Sequence, residues 1–158
     1  MTPATERELP ELATLMGNSP LLGRYHVTSN GALGSLRAAF SAGDTLLVGR
    51  GASVVGMAWL SYAPRVLDGA AYLRLLLVAD GAQRRGVGSQ LLTAVERAAH
   101  ECANHLYLLA TTDNVDARRF YERHGFRHVG DLPGLVWPEL DEALYEKPLR
   151  GYTERLSG

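Results

Sequence analysis

The feature that most constrains the fold is a strand–helix–strand order in the middle of the chain. The apolar run GAAYLRLLLVAD (Gly69–Asp80) has the length of a buried strand, as does HLYLLATT (His105–Thr112). Between them lies VGSQLLTAVERAAHECA (Val87–Ala103), which carries apolar residues at helical spacing. Its apolar stripe consists of Leu91, Leu92, Val95, Ala99 and Cys102. Because a crossover helix joins parallel neighbours, the sheet is expected to contain a parallel pair.

The rest of the chain predicts antiparallel strands and further helices. Helices are predicted over Thr5–Met16, Ser29–Gly43 and Asp113–His124, and strands over Thr45–Gly51, Ser53–Ala63, Phe126–Leu132 and Asp141–Leu149. Ser29 or Asn30, and then Asp113, are the expected N-caps, with Gly43 and Gly125 as stops. The short link between the first two strands predicts a hairpin. Together these elements predict an α/β fold, a mixed sheet with helices on both faces.

Composition narrows the class of protein. With 158 residues, of which 46% are hydrophobic, the chain is expected to form one domain over residues 1–158. The formal net charge of −1 argues against a nucleic-acid partner, and the apolar runs are too short to span a membrane. The single cysteine excludes an internal disulfide, and the polar N-terminus does not resemble a secretory signal. We therefore expect a cytoplasmic protein, and the spacing of its histidines indicates no metal site.

The loop QRRGVG (Gln83–Gly88) joins the central strand to the amphipathic helix. The first N–H groups of a helix lack intrahelical acceptors and favour an anion, and glycine allows a ligand to approach closely. A tight turn would also explain Gly86 and Gly88. The three-glycine dinucleotide fingerprint and the Gly-Lys-Ser/Thr phosphate loop are both absent.

Two blocks extend this pattern. The residues V-x-D-x-x-Q-x-x-G-x-G of Val78–Gly88 closely resemble the acetyl-CoA-binding signature of the GNAT acyltransferase superfamily, whose core is Arg/Gln-x-x-Gly-x-Gly/Ala. Downstream, N-x-x-A-x-x-F-Y-x-x-x-G-F over Asn114–Phe126 resembles the later strand–helix motif of the same superfamily. The two blocks with their elements cover roughly residues 70–130.

The resemblance implies a single acyl-CoA N-acyltransferase domain. Its mixed central sheet would be mostly antiparallel, with parallel central strands that splay apart and helices on both faces. Backbone amides of Gln83–Ser89 would bind the pyrophosphate of coenzyme A, and the main chain of Leu77–Ala79 would pair with the pantetheine arm. The implied cofactor contacts are Leu77, Val78, Ala79, Gln83, Arg84, Arg85, Gly86, Val87, Gly88, Ser89, Asn114 and Tyr121. No metal is implied.

The resemblance also assigns catalytic roles. The Val78 N–H would stabilise the oxyanion formed when an amine attacks the thioester. Tyr121 matches the tyrosine that often protonates the leaving thiolate, although aromatic packing beside Phe120 would also explain it. Asn114 matches a cofactor-contacting asparagine, or it is a residue of the helix cap. A basic cluster is interpreted as a solvated helix face, one member of which would meet a phosphate: Arg118, Arg119, Arg123 and Arg127.

The acceptor side is less defined, because the predicted central strand has no carboxylate to act as a base. Tyr72 and Arg74 share one face of this strand by alternation. Arg74 is expected either to pair with a carboxylate or to face a cleft and bind a carboxylate or phosphate of the acceptor. Tyr62 is another candidate acceptor contact. Distant candidates for a base or for amine binding are Asp131, Glu139, Asp141 and Glu142.

These expectations favour an N-acetyltransferase for a primary amine of a small molecule, with acetyl-CoA as cosubstrate. A protein or peptide acetyltransferase and a non-catalytic acyl-CoA sensor are the alternatives. The shape between two expected loops, Tyr62–Gly69 and Leu132–Leu140, would distinguish small from extended acceptors. Dimers are frequent in the family, which leaves a homodimer and a monomer both open, and Leu149–Gly158 either contributes to a dimer or adds only a frayed tail.

Overall fold

The computed structural model describes residues 1–62 and 69–149. The strands in these residues are β1 (Thr2–Pro3), β2 (Thr45–Arg50), β3 (Val54–Tyr62), β4 (Ala70–Val78), β5 (His105–Thr111), β6 (Arg127–Trp137) and β7 (Leu140–Pro148). The helices are α1 (Leu9–Gly17), α2 (Pro20–Gly23), α3 (Ser29–Ala42), α4 (Val87–His100) and α5 (Val115–Arg123). Short 3-10 turns precede α1 and α4, at Glu6–Glu8 and Asp80–Ala82.

The seven strands form one mixed sheet in the order β1–β2–β3–β4–β5–β7–β6. Strands β4 and β5 are parallel, and their ladder joins Ala70–Leu73 to His105–Leu108. The pairs β1–β2, β2–β3, β5–β7 and β6–β7 are antiparallel. The predicted α/β class is therefore confirmed, with a mixed and mostly antiparallel sheet around a parallel pair.

The chain folds as two compact units. The first consists of Met1–Ser61 and Leu75–Ala98, and the second of Tyr62–Arg74 and Ala99–Gly158. Strand β4 contributes its first five residues to the second unit and the remainder to the first. A single domain over residues 1–158 stays a prediction.

Helices cover both faces of the strands in the first unit. One core cluster joins α1 and α3 to Met57, Trp59 and the inward side chains of β2. Gly56 precedes Met57 and therefore faces the opposite side of β3, where Leu91 of α4 approaches it. The predicted arrangement of helices on both faces of the sheet is observed within this unit.

Most predicted elements are present, and the differences lie at their ends. The N-cap of α3 is Thr28, whose Oγ1 accepts a hydrogen bond from the Gly31 N–H at 3.1 Å, so the expected caps at Ser29 and Asn30 are wrong by one or two positions. Gly43 ends α3 in the left-handed region at φ 83°, as predicted. The edge strand β1 was not predicted, because two residues carry no periodic signal.

The expected loop Leu132–Leu140 is wrong over most of its length. Strand β6 continues through Trp137, and β7 begins at Leu140, so a tight turn at Pro138 and Glu139 closes a hairpin. Trp137 is 38% exposed and does not anchor this segment in a core. Of the other expected loop, Tyr62–Gly69, the positions 63–68 lie outside the described residues, as does the terminal segment from position 150.

Gly56 allows β3 and β4 to approach closely. An ideal Cβ at Gly56 would lie 2.8 Å from the Leu77 carbonyl oxygen and 3.0 Å from Cδ1 of Leu91. The first of these neighbours is backbone, so a side chain at Gly56 would displace the end of β4. The small residue therefore sets the position of the strand end and of the loop that follows.

We predict opposite effects on stability for alanine at two glycines. Gly56→Ala should lower the free energy of unfolding by about 1–3 kcal/mol, because the new methyl group overpacks the strand pair. Gly34→Ala is the matched control, since its Cβ would meet no atom within 4 Å on the exposed side of α3. It should raise the unfolding free energy by roughly 0.5–1 kcal/mol. Urea unfolding of both variants tests this, and an equal shift for both would contradict it.

Candidate functional site

The end of β4 directs the backbone N–H and C=O groups of one residue away from the neighbouring strand β3. The Ala79 N–H donates to the Val55 carbonyl of β3 at 2.9 Å, and the Leu77 carbonyl lies against Gly56 of the same strand. Because consecutive residues of a strand point their N–H and C=O groups to opposite sides, those of Val78 point away from β3. Of the three residues expected to pair with a ligand, Leu77–Ala79, Val78 is the one whose backbone groups are directed away from β3.

The loop after β4 has an unusual backbone. Arg84 has φ 61° and Gly86 has φ 78°, so two residues of the left-handed region lie two positions apart. For arginine this conformation costs about 1–2 kcal/mol, and such strain is concentrated at functional sites. Turns of this kind direct backbone N–H groups toward a common concave side, which suits an anion.

The loop ends where α4 begins. The Gln90 N–H donates to the Gly86 carbonyl at 3.0 Å, which is the first bond of the helix, so the N–H groups of Val87 and Gly88 precede the helical ladder. Residues Gln83–Gly86 are exposed, and a Cβ at Gly86 would meet no atom within 4 Å. The structure therefore combines an open loop, a helix start and flanking arginines, as the sequence predicted.

The side chain of Gln83 has a local role. Its Nε2 donates to Oδ1 of Asp80 at 3.2 Å, across the 3-10 turn that joins β4 to the loop. Within the same turn, the Ala82 N–H donates to the Ala79 carbonyl at 2.8 Å, and Ala82 is buried. These contacts connect the exposed loop to the strand end.

In the second unit, α5 presents the second sequence block. Asn114 is the N-cap of α5, and its Oδ1 accepts from the Ala117 N–H at 3.2 Å, so the expected cap at Asp113 is wrong. Gly125 has φ 86° and follows the C-cap His124, as expected for a helix stop. The cap interpretation of Asn114 is thus observed, and any cofactor contact would come from the rest of its side chain.

Tyr121 of α5 is buried, with 8% of its surface exposed. Its ring packs edge-on against Phe126 at 5.6 Å and against Phe120 at 5.3 Å between centroids. Burial raises the pKa of its phenol well above the usual value of about 10, and the nearby Tyr72 raises it further. The aromatic packing is therefore observed, and the hydroxyl keeps its proton at neutral pH.

A buried tyrosine holds α5 on the sheet. The Tyr145 hydroxyl donates to Oε1 of Glu122 at 2.9 Å and accepts from Nε of Arg118 at 3.0 Å. Arg118 also donates to the Thr112 carbonyl at 2.9 Å. The interpretation of Arg118 as a solvated residue is wrong, because long-range partners in β7 and in the preceding loop hold it.

Arg127 from the same predicted basic cluster is also paired. Its Nε donates to Oε2 of Glu146 at 2.9 Å, and Nδ1 of His105 lies 2.7 Å from Oε1 of that carboxylate. Glu146 is 3% exposed, so this ion-pair cluster joins β5, β6 and β7. No sequence spacing signals these contacts.

The candidate acceptor residues lie on strands of the second unit. Tyr72 is half-buried, Arg74 is exposed and Tyr62 is half-buried at the end of β3. Burial raises the pKa of the Tyr72 phenol, while the charge of Arg74 lowers it and that of Glu142 raises it. Both charged side chains are thus close enough to act on one phenol.

The four candidate carboxylates differ in burial. Asp131 pairs with Nε2 of His128 at 2.8 Å, and Oδ1 of Asp141 accepts from the Gly134 N–H at 3.1 Å, whereas Glu139 is exposed. Glu142 alone among the four is buried, with 2% of its surface exposed. The sequence offered no means of distinguishing it, since neighbouring carboxylates at 139–142 look alike in one dimension.

Other features bear on partners and cofactors. Within residues 1–62 and 69–149, no group of three or more His, Cys, Asp or Glu is placed to hold a metal ion. No helix in that part of the chain is long and apolar enough to cross a membrane. Cys102, the single cysteine of the sequence, is exposed just after α4.

Comparison with known proteins identifies one family and one fold. The model of the acetyltransferase (GNAT) family matches residues 22–126. Among solved structures, ribosomal-protein-alanine N-acetyltransferase from Brucella melitensis is 23% identical with a TM-score of 0.78, covering 94% of this chain and 98% of that one. The yncA protein of Salmonella typhimurium, solved with its cofactor acetyl-CoA, is 15% identical with a TM-score of 0.75, covering 96% and 94%. At these identities the two structures establish a shared fold.

A curated relative matches only part of the chain. The uncharacterized protein YdhI of Bacillus subtilis (strain 168) is 34% identical over 55 residues. That match spans 34% of this chain and 34% of the relative, so about a third of each protein is aligned.

Proposed function

The chain belongs to the GNAT acetyltransferase family, whose members use acetyl-CoA, and we propose that it acetylates a primary amine of a small molecule. The reaction is direct. The neutral amine attacks the thioester carbonyl, the C–S bond breaks, and the products are an N-acetyl amide and coenzyme A. The proton lost by the amine passes to a base or to water.

The loop Gln83–Gly88, here called the donor loop, is the observation that carries this proposal, because it fits the phosphates of acetyl-CoA. Left-handed residues at Arg84 and Gly86 curve the backbone immediately before α4, and the open helix start adds N–H groups and a partial positive charge. A pyrophosphate fits this chemistry, and the open space at Gly86 accepts an anion without a clash. The amides of Gln83–Ser89 would hold it, with Arg84 and Arg85 adding positive charge.

Val78 supplies the proposed oxyanion donor. The N–H of the next residue, Ala79, donates to the Val55 carbonyl of β3. Because backbone groups alternate along a strand, the Val78 N–H points away from β3. A backbone donor held in a strand needs no reorganisation when the carbonyl oxygen gains charge. One such donor typically lowers the activation barrier by about 3–4 kcal/mol. The Val78 carbonyl would pair with the pantetheine arm.

Tyr121 is the proposed acid. Burial keeps its phenol protonated, and its raised pKa lies above that of an ordinary thiol, which is about 8.5. Complete proton transfer to a thiolate would therefore be uphill. We infer that Tyr121 acts chiefly by donating a hydrogen bond to the sulfur as it gains charge, which requires the hydroxyl but not its ionisation.

An acetyl-transfer assay tests the proposed function. Purified protein with acetyl-CoA is presented with amino acids, polyamines, aminoglycosides and peptides with free N-termini, and coenzyme A release is measured by thiol detection. Turnover of a small amine at a higher kcat/KM than any peptide supports the proposal. Preference for peptides would assign a protein acceptor instead. Tight coenzyme A binding by calorimetry with no turnover would indicate a sensor.

A charge at Gly86 should abolish cofactor binding. Gly86→Asp places a carboxylate where the pyrophosphate is proposed to lie, and we expect the Kd for coenzyme A to rise at least about a hundredfold, the effect of a few kcal/mol. Gly86→Asn is the matched control, because asparagine tolerates positive φ similarly and has the same shape without the charge. It should retain most of the affinity by calorimetry. Equal affinities for the two variants would remove the phosphate-loop proposal.

Removing the Tyr121 hydroxyl should slow transfer without weakening cofactor binding. Tyr121→Phe preserves the aromatic contacts, so we expect kcat to fall about tenfold to hundredfold while the Kd for coenzyme A changes less than about twofold. Because the pKa of Tyr121 is raised, its ionisation should not reduce the wild-type rate below pH 10. Tyr25→Phe, between α2 and α3, is the matched control and should leave kcat unchanged. An unchanged kcat in Tyr121→Phe would show that this residue serves packing alone.

A further inference from the structure

Contacts at the start, the middle and the end of α5 hold the helix in place. Asn114 caps its start, and at its end Nζ of Lys147 donates to the His124 carbonyl at 2.7 Å. In the middle, the hydroxyl of Tyr145 from β7 bonds to two side chains of the helix. This middle contact is the one that flanks Tyr121 in the sequence of α5.

The two partners of the Tyr145 hydroxyl are Arg118 and Glu122, which are four residues apart and therefore share one face of the helix. The hydroxyl donates its proton to Oε1 of Glu122 at 2.9 Å and accepts from Nε of Arg118 at 3.0 Å. Nη1 of Arg118 also donates to the Thr112 carbonyl at 2.9 Å, just before α5. Because the hydroxyl serves both as a donor and as an acceptor, these directional bonds specify one rotation of α5 on β7.

The partners of the hydroxyl do not depend on it for hydration. The Tyr145 ring is fully buried, whereas Glu122 is exposed and Arg118 is half-buried. Both charged groups can reach water without this bond, and holding two long side chains in one geometry costs conformational entropy. We therefore expect the network to contribute more to the orientation of α5 than to the stability of the fold.

The direction of the Tyr121 side chain depends on that orientation. One of its aromatic neighbours, Phe120, lies on the same helix and turns with it, and the other, Phe126, lies just beyond the helix end. Apolar packing is non-directional, so it resists a small rotation of the helix less than a hydrogen bond does. The network around Tyr145 is thus the directional constraint beside Tyr121.

We propose that Tyr145 is a positioning residue for acetyl transfer. Through Arg118 and Glu122 it fixes the rotation of α5, and hence the direction in which Tyr121 presents its hydroxyl to the leaving sulfur. The inference rests on the proposed function, in which Tyr121 is the acid. A misplacement of about 1 Å can reduce a rate about a hundredfold, so a small rotation of the helix is enough to affect transfer.

Removal of the hydroxyl tests the proposal. Tyr145→Phe keeps the buried ring, and Arg118 and Glu122 can still pair with each other, so the variant should fold. With acetyl-CoA and the best amine both saturating, we expect kcat to fall about threefold to tenfold, while the Kd for coenzyme A changes less than about twofold. An unchanged kcat in Tyr145→Phe would overturn the inference.

A double-mutant cycle shows whether Tyr145 acts through Tyr121. If it does, adding Tyr145→Phe to Tyr121→Phe should leave kcat within about twofold of the Tyr121→Phe value, because the group being positioned is already gone. If the two losses multiply, Tyr145 affects the rate by another route and the inference fails. A purely structural role would lower the midpoint of urea unfolding without producing this coupling.

Conservative and disruptive changes at Glu122 test the same bond from the helix side. Glu122→Gln keeps an acceptor oxygen for the Tyr145 hydroxyl and should retain most of kcat, whereas Glu122→Ala should fall toward the value of Tyr145→Phe. Equal values for the two variants would contradict the proposed role of the bond.

Ser61→Ala is the control for the loss of a hydroxyl, because Oγ of Ser61 donates to Oδ2 of Asp44 at 2.8 Å in the first unit. It should leave kcat unchanged even where it lowers the midpoint of urea unfolding. If Tyr121→Phe slows transfer and Tyr145→Phe does not, this inference fails alone. If Tyr121→Phe has no effect, the acid role and this inference both fail while acetyl transfer stands. If no amine is acetylated, the proposed function fails with them.

Discussion

The close contact between β3 and the end of β4 is the constraint on which the proposed acetyl-CoA site depends. A glycine at position 56 lets the two backbones approach, and the bond from Ala79 to Val55 keeps the last strand residue beside its neighbour. That bond also determines which way Val78 points, because backbone groups alternate along a strand. Because position 56 has no side chain, β4 can lie close to β3, and this pairing leaves the amide of Val78 directed away from β3. The position of the loop Gln83–Gly88, which follows the 3-10 turn Asp80–Ala82, depends on this contact.

The sequence predicted the segment from β4 to α4 well because its signals are local. The apolar spacing of α4, the glycines of the loop and the β2–β3 hairpin each act over a few residues, and these elements are present where they were expected. Cys102 is the exception, because α4 ends at His100 and Cys102, predicted as part of the apolar stripe, is exposed. The caps at Thr28 and Asn114 lie one or two positions from the expected Ser29 or Asn30 and one position from the expected Asp113, because several neighbouring residues have side chains capable of the same bond. The choice among them depends on the direction from which the chain enters the helix.

The second unit was harder to predict because its decisive contacts join distant residues. Arg118 and Arg127 look like members of one solvated cluster, yet one bonds to Tyr145 and the other to Glu146. The four carboxylates between positions 131 and 142 cannot be ranked without knowing which of them β7 turns inward. The decisive contacts of the second unit therefore have to be derived from packing.

Exposure of Cys102 has a practical consequence for work with this protein. As the single cysteine of the sequence, it gives each molecule one accessible thiol. Reagents that detect liberated coenzyme A will also titrate this residue, so each assay carries a stoichiometric background that a blank without amine must remove. The same thiol is an attachment site for a fluorophore or spin label near the end of α4. A single label there would report on the helix whose other end adjoins the proposed donor loop, with no need to engineer another cysteine.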